Sequence, residues 1–301
     1  LPQFHVKRQF SAVQAKNGLK QIIWGLFKKI VIADNCAVFV NQIFDAPQDY
    51  NGITLVFGAI MFAFQIYGDF SGYSDVAIGT AKLFGFNLMQ NFATPYFSRD
   101  IAEFWRRWHI SLSTWFRDYV YIPLGGSRGS TWFKVRNTFI IFLVSGFWHG
   151  ANWTFIVWGF LNALYFLPIL LTNNNRNHLD VVAANSVLPS VKDLFLMVTT
   201  FLLTTIAWVF FRANSISDAL DYYYAIAFND NGFLGGIEFV RMLPILFIFI
   251  LLEWAQRKEV RSLVFSVKHS WLNTILIVVI VVLIIWLGNF MNPQEFIYFD
   301  F

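Results

Sequence analysis

The sequence predicts an all-α, polytopic membrane protein, and three observations carry that prediction. Charged residues make up only 13% of the 301, against about 25% in soluble domains, while 57% are hydrophobic and the mean hydropathy is +0.53. Apolar runs long enough to approach the span of a bilayer, about 20 residues, recur along the chain. Lysines and arginines cluster beside those runs, the arrangement that marks cytoplasmic flanks. The net charge of +4 therefore reports orientation in a membrane and excludes a nucleic-acid partner. The 36 phenylalanines and 12 tryptophans suit side chains that face lipid and its interfaces. With one cysteine there is no intrachain disulfide and no cysteine metal cluster, and neither a metal site nor a bound cofactor is expected. Cys36, among apolar neighbours, reads as packing, with a thiol acyl carrier as the alternative.

In chain order, residues 1–20 carry Lys7, Arg8, Lys16 and Lys20 without a long apolar run, which places them in the cytoplasm or at its interface. Residues 18–44 have a helical pattern interrupted by Lys28, Lys29, Asp34 and Asn35. Lipid does not accept four such groups on one helix, so part of it faces protein or water, or else the helix lies amphipathically at the interface. After turn signals at Pro47, Asn51 and Gly52, the apolar run 53–67 leads into Gly68-Asp69-Phe70-Ser71-Gly72-Tyr73-Ser74-Asp75, read as a broken segment able to line a cavity. Asp69 and Asp75 are either a carboxylate pair for acid–base work or caps and ion-pair partners. Nothing in the sequence places them together, which favours the second.

Residues 100–119 form an amphipathic helix on a helical wheel. Glu103, Arg106, Arg107, Arg117 and Asp118 fall on one arc, and Phe104, Trp105, Trp108, Trp115 and Phe116 on the other. Too charged to span, such a helix is expected to lie along the membrane surface, with His109 near the edge of its apolar arc. The loop 123–130, with Arg128 and then Lys134 and Arg136, is basic and expected to be cytoplasmic; it carries no P-loop pattern. A helix climbing from Asn137 reaches His149 after twelve residues, about 18 Å, near the middle of a hydrocarbon core of about 30 Å. Further spans are expected at 151–171, 194–211, 239–254 and 271–290, with a surface helix at 215–228 and loops at 172–180 and 229–236. Arg257, Lys258, Arg261 and Lys268 mark a cytoplasmic loop, and His5, His178 and His269 sit in polar surroundings as surface residues.

The most unusual stretch is Ser145-Gly146-Phe147-Trp148-His149-Gly150-Ala151-Asn152-Trp153, inside an apolar run. An ionisable group in hydrocarbon is costly and is seldom kept without a use, although histidine enters more cheaply because it can be neutral. If the helix continues through Gly150, Ser145, His149 and Asn152 share one face, setting a hydroxyl and an amide beside the imidazole. The two glycines either admit a close neighbour or break the helix. Position alone also fits a core histidine with one satisfied hydrogen bond. What moves the reading toward a site is a second Trp-His pair, Trp108-His109, in an equally unusual setting.

The words around both pairs are Tyr96-Phe97-Ser98-Arg99-Asp100-Ile101-Ala102-Glu103-Phe104-Trp105-Arg106-Arg107-Trp108-His109-Ile110-Ser111-Leu112-Ser113, Trp115-Phe116-Arg117-Asp118-Tyr119-Val120-Tyr121-Ile122-Pro123-Leu124-Gly125-Gly126, and Phe147-Trp148-His149-Gly150-Ala151-Asn152-Trp153. Together with Asp69-Phe70-Ser71-Gly72-Tyr73-Ser74-Asp75 and the ending Phe296-Ile297-Tyr298-Phe299, they resemble the membrane-bound O-acyltransferase family, in its bacterial alginate O-acetylation branch. The likeness covers most of the chain and is least distinctive over 173–271. It implies a helical bundle with interfacial and broken helices around a central cavity. It also implies that 1–301 is a single catalytic domain lacking several N-terminal transmembrane helices.

The resemblance further implies an acyltransferase that passes an acyl group, most readily acetyl, from a cytoplasmic thioester such as acetyl-CoA toward a cell-envelope or exopolysaccharide hydroxyl. It places the protein in the bacterial cytoplasmic (inner) membrane with an extracytoplasmic acetyltransferase as partner. His149 corresponds to the family's catalytic histidine, the general base, and His109 to its second characteristic one, an orienter or second proton carrier. Trp148, Asn152, Ser145, Arg117 and Asp118 are the expected substrate-binding residues. Two alternatives stand beside this reading: a D-alanyl transfer protein for teichoic acids, and a proton-coupled transporter with His109 and His149 as relay. Repeated halves, which transporters often show, are not visible in the sequence.

Overall fold

The computed structural model describes residues 2–5, 7–230, 237–259, 263, 270–291 and 293–297. Among them all regular structure is helical. Ser11, extended, caps α1 (Ala12–Leu26) by accepting the N–H of Gln14. The rod continues through a wider π-helical stretch, Phe27–Ala33, into α2 (Asp34–Asp45). There follow α3 (Gly52–Leu83), α4 (Ile101–Arg107), α5 (Ile110–Phe116) with a π-helical extension Arg117–Tyr121, and α6 (Thr131–His149). The chain ends with α7 (Trp153–Leu171), α8 (Val191–Arg212), α9 (Ile216–Phe228), α10 (Ile237–Gln256) and α11 (Ser270–Leu287). Three of these, α3, α7 and α8, are long and apolar enough to cross a membrane.

The side chains identify the solvent for which these helices are built. Along α8, Leu194, Val198, Leu202 and Ile206 recur every four residues and stand 44–49% exposed. The opposite side buries Thr200, Thr204, Trp208 and Phe211. Burial of one such aliphatic side chain is worth about 1.5–3 kcal/mol in water, so an outward aliphatic stripe opposes folding there and costs nothing in lipid. The inward polar groups are satisfied locally: the Thr204 and Thr205 hydroxyls donate to the Phe201 carbonyl, and buried Asn162 on α7 donates to the Trp158 carbonyl at 2.8 Å.

The chain divides into two compact units. The first comprises residues 1–38, 64–91 and 237–300. Its interior holds the charges that interrupt the 18–44 pattern. Lys28, 3% exposed, pairs with Asp75 at 2.5 Å, and Lys29 bridges Asp34 at 2.8 Å and Asp69 at 2.7 Å. Gln21 extends this set, donating to Asp75 and accepting from Lys82, and Tyr67 donates to Glu253 at 2.6 Å. Lys28, Lys29 and Asp34 thus face protein. Asp69 and Asp75 are ion-pair partners of different lysines. The expected break at 68–75 is absent: α3 runs through it, because Gly68 and Gly72 lie against the rod's backbone. A Cβ there would come within 2.9 and 2.7 Å of the carbonyls of Lys28 and Gly25. The glycines serve close helix contact, which is the other use of small residues in membranes.

The second unit comprises residues 39–63 and 92–236. Within it the hydroxyl of Tyr222 donates to the Leu55 carbonyl and its ring stacks on Phe44 at 4.4 Å, tying α9 to the starts and ends of earlier helices. Arg212, closing α8, donates to Asn41. Asn137, fully buried on α6, donates to the carbonyls of Leu124 and Gly126 and so folds the basic loop onto that helix. The expected helices at 151–171, 194–211 and 215–228 are present as α7, α8 and α9. Arg261, Lys268, His269 and the part of the 229–236 loop from residue 231 on lie outside the described residues.

The Lys29 bridge gives a stability prediction. Lys29→Met leaves two carboxylates, 3–4% exposed, without their cation, and is expected to lower stability by about 3 kcal/mol. Adding Asp69→Asn should recover part of the loss. Thermal unfolding in detergent measures both, and a single variant as stable as wild type contradicts the role given to the bridge.

Candidate active site

His149 is the last residue of α6. The helix starts at Thr131, six residues before the expected Asn137, because Lys134 and Arg136 lie within it and not in the preceding loop. Its 19 residues put His149 about 27 Å along the axis, farther than the twelve-residue count placed it. Gly150, at φ 156° and ψ 168°, then breaks the helix. A Cβ at Gly150 would meet the Phe155 ring at 2.8 Å, and one at Gly146 would collide with the Phe155 carbonyl. Of the two outcomes open for these glycines, Gly146 realises close approach and Gly150 realises the break.

That break separates Asn152 from the face it was expected to share with Ser145 and His149. Asn152 caps α7 instead: its Oδ1 accepts the N–H of Thr154 at 3.1 Å, and its Nδ2 donates to the Asn214 carbonyl at 2.7 Å. Ser145 remains half-buried, one turn before His149 on α6.

Aromatic rings surround the imidazole. Trp158 lies 5.2 Å from it edge-on, Phe211 and Trp148 each 5.0 Å, and Phe155 6.2 Å. Trp158 and Phe211 are buried, whereas Trp148 is 52% exposed and stands at the margin of this box. Edge-to-face contacts of this kind fix a ring's orientation as well as adding area. Sequence reasoning missed Trp158, Phe155 and Phe211. They belong to α7 and α8, and only tertiary packing brings them to α6.

His109 occupies a second break. Asp100, extended, caps α4 by accepting the N–H of Glu103 at 2.6 Å. Glu103 does not lie on a solvated arc as the wheel predicted. It is 1% exposed and ion-paired with Arg99 at 3.0 Å and Arg107 at 2.9 Å. Arg99 and Arg107 also donate to the Asp180 carbonyl, and Arg106 to those of Asn175 and His178, which holds the 172–180 loop on α4. His178 is accordingly half-buried.

The expected continuous helix 100–119 ends at Arg107, because Trp108 is extended and His109 is left-handed at φ 45° and ψ 55°. The imidazole Nδ1 accepts the N–H of Leu112 at 3.2 Å and so caps α5. Histidine is not among the preferred caps, so no sequence signal marked this break. Burial pushes the His109 pKa down to about 4, its own backbone carbonyl opposing only in part.

A run of rings leads from Trp108, the chain neighbour of His109, to His149. Trp108 packs 5.1 Å from Trp208, which stacks on Trp158 at 5.7 Å, and Trp158 touches His149. The imidazoles are close enough to interact electrostatically. Arg117 and Asp118 stand on the π-helical extension, exposed and paired with each other at 2.7 Å. That pairing holds the Asp118 carboxyl below its ordinary value.

An all-helical, polytopic membrane protein with two histidines at helix breaks, joined by an aromatic core, is the class these observations define. Over residues 3–198 the sequence matches the membrane-bound O-acyltransferase family, and the chain belongs to it. It is 46% identical over 209 residues to the probable alginate O-acetylase AlgI of Pseudomonas aeruginosa, covering 69% of this chain and 38% of that protein. It is 42% identical over 196 residues to the peptidoglycan O-acetyltransferase of Helicobacter pylori, covering 65% and 36%. To the teichoic acid D-alanyltransferase of Streptococcus thermophilus it is 40% identical over 167 residues, covering 50% and 39%. The chain thus spans about two fifths of the length of these relatives.

The box predicts a structural sensitivity. Trp158→Ala removes a ring that is 2% exposed and touches both His149 and Trp208. A loss of about 3–5 kcal/mol is expected from such a truncation, with Trp158→Phe much milder. Unfolding in detergent reports it; a loss below about 1 kcal/mol would show that the box does not hold the site together.

Proposed function

We propose that the protein is an acyltransferase of the bacterial inner membrane that moves an acetyl group from a cytoplasmic thioester, acetyl-CoA or an equivalent, toward a cell-envelope or exopolysaccharide hydroxyl. The observation that carries the reading is the placement of His149 in an aromatic box beside a second histidine, in a chain of this family. In this mechanism His149 takes the proton of the attacking hydroxyl as its oxygen approaches the thioester carbonyl, a step in which a positioned base is typically worth 10²–10⁴-fold. The surrounding rings hold the imidazole in one orientation and keep water away from the thioester. Trp148 and Ser145 are the substrate contacts nearest to it in sequence. The exposed pair Arg117 and Asp118 would meet substrate outside the box, and Asn152 serves indirectly by fixing the turn after His149.

An extracytoplasmic acetyltransferase is the proposed recipient of the acetyl group, with a polysaccharide as final acceptor. Acetyl is favoured over D-alanyl because the acetyl-transferring relatives match 65–69% of this chain and the D-alanyl relative 50%. A transporter with the histidines as relay consumes no thioester.

The test is release of CoA thiol from acetyl-CoA, with acetyl appearing on the acceptor, in membranes holding equal amounts of each variant. Wild type is expected to be active, and His149→Gln, which keeps a polar amide but no base, to lose at least about 100-fold. Wild-type-like transfer by His149→Gln, or none by the wild-type protein, contradicts the proposal.

A further inference from the structure

The basic loop before α6 lies at the end of a membrane span. Gly146 and Gly159 pack so closely that a Cβ on the first would collide with the Phe155 carbonyl and one on the second with the Phe142 carbonyl, which fixes α6 and α7 in antiparallel register. Continued to the other end of the pair, that register brings Ser130, the residue before α6, level with Leu171, the last of α7. Among the described helices α7 is one of three long and apolar enough to cross a membrane. The loop 122–130 therefore sits where hydrocarbon gives way to headgroups. It is held to α6: Asn137 donates to the Leu124 and Gly126 carbonyls at 3.1 and 3.0 Å, and Arg136 donates to the Leu124 carbonyl and lies 4.7 Å over the Phe133 ring.

Arg136 is thereby used by the fold, whereas Arg128 and Lys134 are not. Neither side chain has a hydrogen bond or an ion pair among the described residues; Arg128 is exposed and Lys134 half-buried. The one acidic residue between Phe104 and Asn137 is Asp118, which is already paired with Arg117. On the segments that lead into and out of the loop, Tyr119, Ile122 and Trp132 stand 68%, 57% and 71% exposed. Rings and an aliphatic chain left in water oppose folding, and at the headgroup level they settle favourably. Phosphate or a nucleotide in solution would answer the cations and leave the apolar groups in water. A zwitterionic lipid would cover the apolar groups and leave the cations without a counter-charge. An anionic phospholipid answers both, and lipid is what surrounds a protein at this height. We propose that the surface formed by Tyr119, Ile122, Arg128, Trp132 and Lys134 binds the headgroup of an anionic phospholipid, its phosphate against the two cations and its upper acyl chain against the rings. None of these residues belongs to the box around His149, so the surface stands whether or not the chain transfers acetyl.

Trp132 reports on the surface directly. The full chain is reconstituted in phosphatidylcholine bilayers with increasing amounts of brominated phosphatidylglycerol or, separately, brominated phosphatidylcholine. The fluorescence lost by the wild type but not by Trp132→Phe is the Trp132 signal. Half-quenching is expected at a mole fraction about tenfold lower for the anionic lipid, since each basic side chain beside an anionic surface strengthens attachment about fivefold. Arg128→Gln with Lys134→Gln should bring the two lipids within about twofold, and Arg128→Lys with Lys134→Arg, which keeps both charges, should restore the difference. High salt should narrow the wild-type difference, and millimolar inorganic phosphate should leave it unchanged. Equal quenching by the two lipids in the wild type overturns the proposal, and that comparison needs no change to either cation. A difference that survives the double neutral variant overturns it too, as does displacement by inorganic phosphate, which would make the surface a site for free anions. Absence of Trp132 quenching by either lipid would mean that protein covers the surface, and contradicts lipid binding there.

Discussion

In a hydrocarbon solvent a helix has to settle every polar group within the protein, and the rest of this structure follows from how that is done. The outward stripe of α8 is aliphatic because lipid accepts nothing else, and the inward threonines answer to carbonyls of their own helix. In the first unit the same requirement places two adjacent lysines against three carboxylates, Lys28 on Asp75 and Lys29 on Asp34 and Asp69. Charges that look from the sequence like interruptions of a helix are the contacts that join helices.

The candidate site follows another consequence of helical structure, the unpaired backbone groups at helix ends. His149 closes α6 and His109 opens α5, so each imidazole is presented where the chain turns and not on a regular helix face. At one end Gly150 lets the chain reverse against Phe155, with Asn152 capping the helix that follows. At the other, the left-handed His109 does with its own ring what a capping carboxamide does elsewhere. From Trp108, the chain neighbour of His109, buried rings run through Trp208 to Trp158 beside His149, so aromatic contacts link the two helix ends.

Much of this was legible in the sequence. Apolar runs gave the positions of α7 and α8 to within about three residues, because hydropathy over a span is a strong signal. The two Trp-His pairs stood out as well, since an ionisable group in such surroundings is rare, and both histidines lie at helix breaks. What escaped was decided by partners distant in sequence. Residues 68–75 read as broken because glycines and carboxylates usually end a membrane helix, whereas Gly68 and Gly72 meet the backbone of an earlier helix and Asp69 and Asp75 meet its lysines. Glu103 read as solvated because a wheel cannot see Arg99 folding over it. The break at His109 had no local signal, and the rings around His149 come from two later helices.

The central claim is that His149, held at the end of α6 in its aromatic box, is the base of acyl transfer. A structure of the protein with a non-hydrolysable acetyl thioester analogue tests it most directly. The analogue's thioester carbonyl is expected to bind beside the aromatic box, with room between its carbon and the His149 imidazole for a hydroxyl. An analogue bound with its carbonyl remote from the His149 imidazole would contradict that claim.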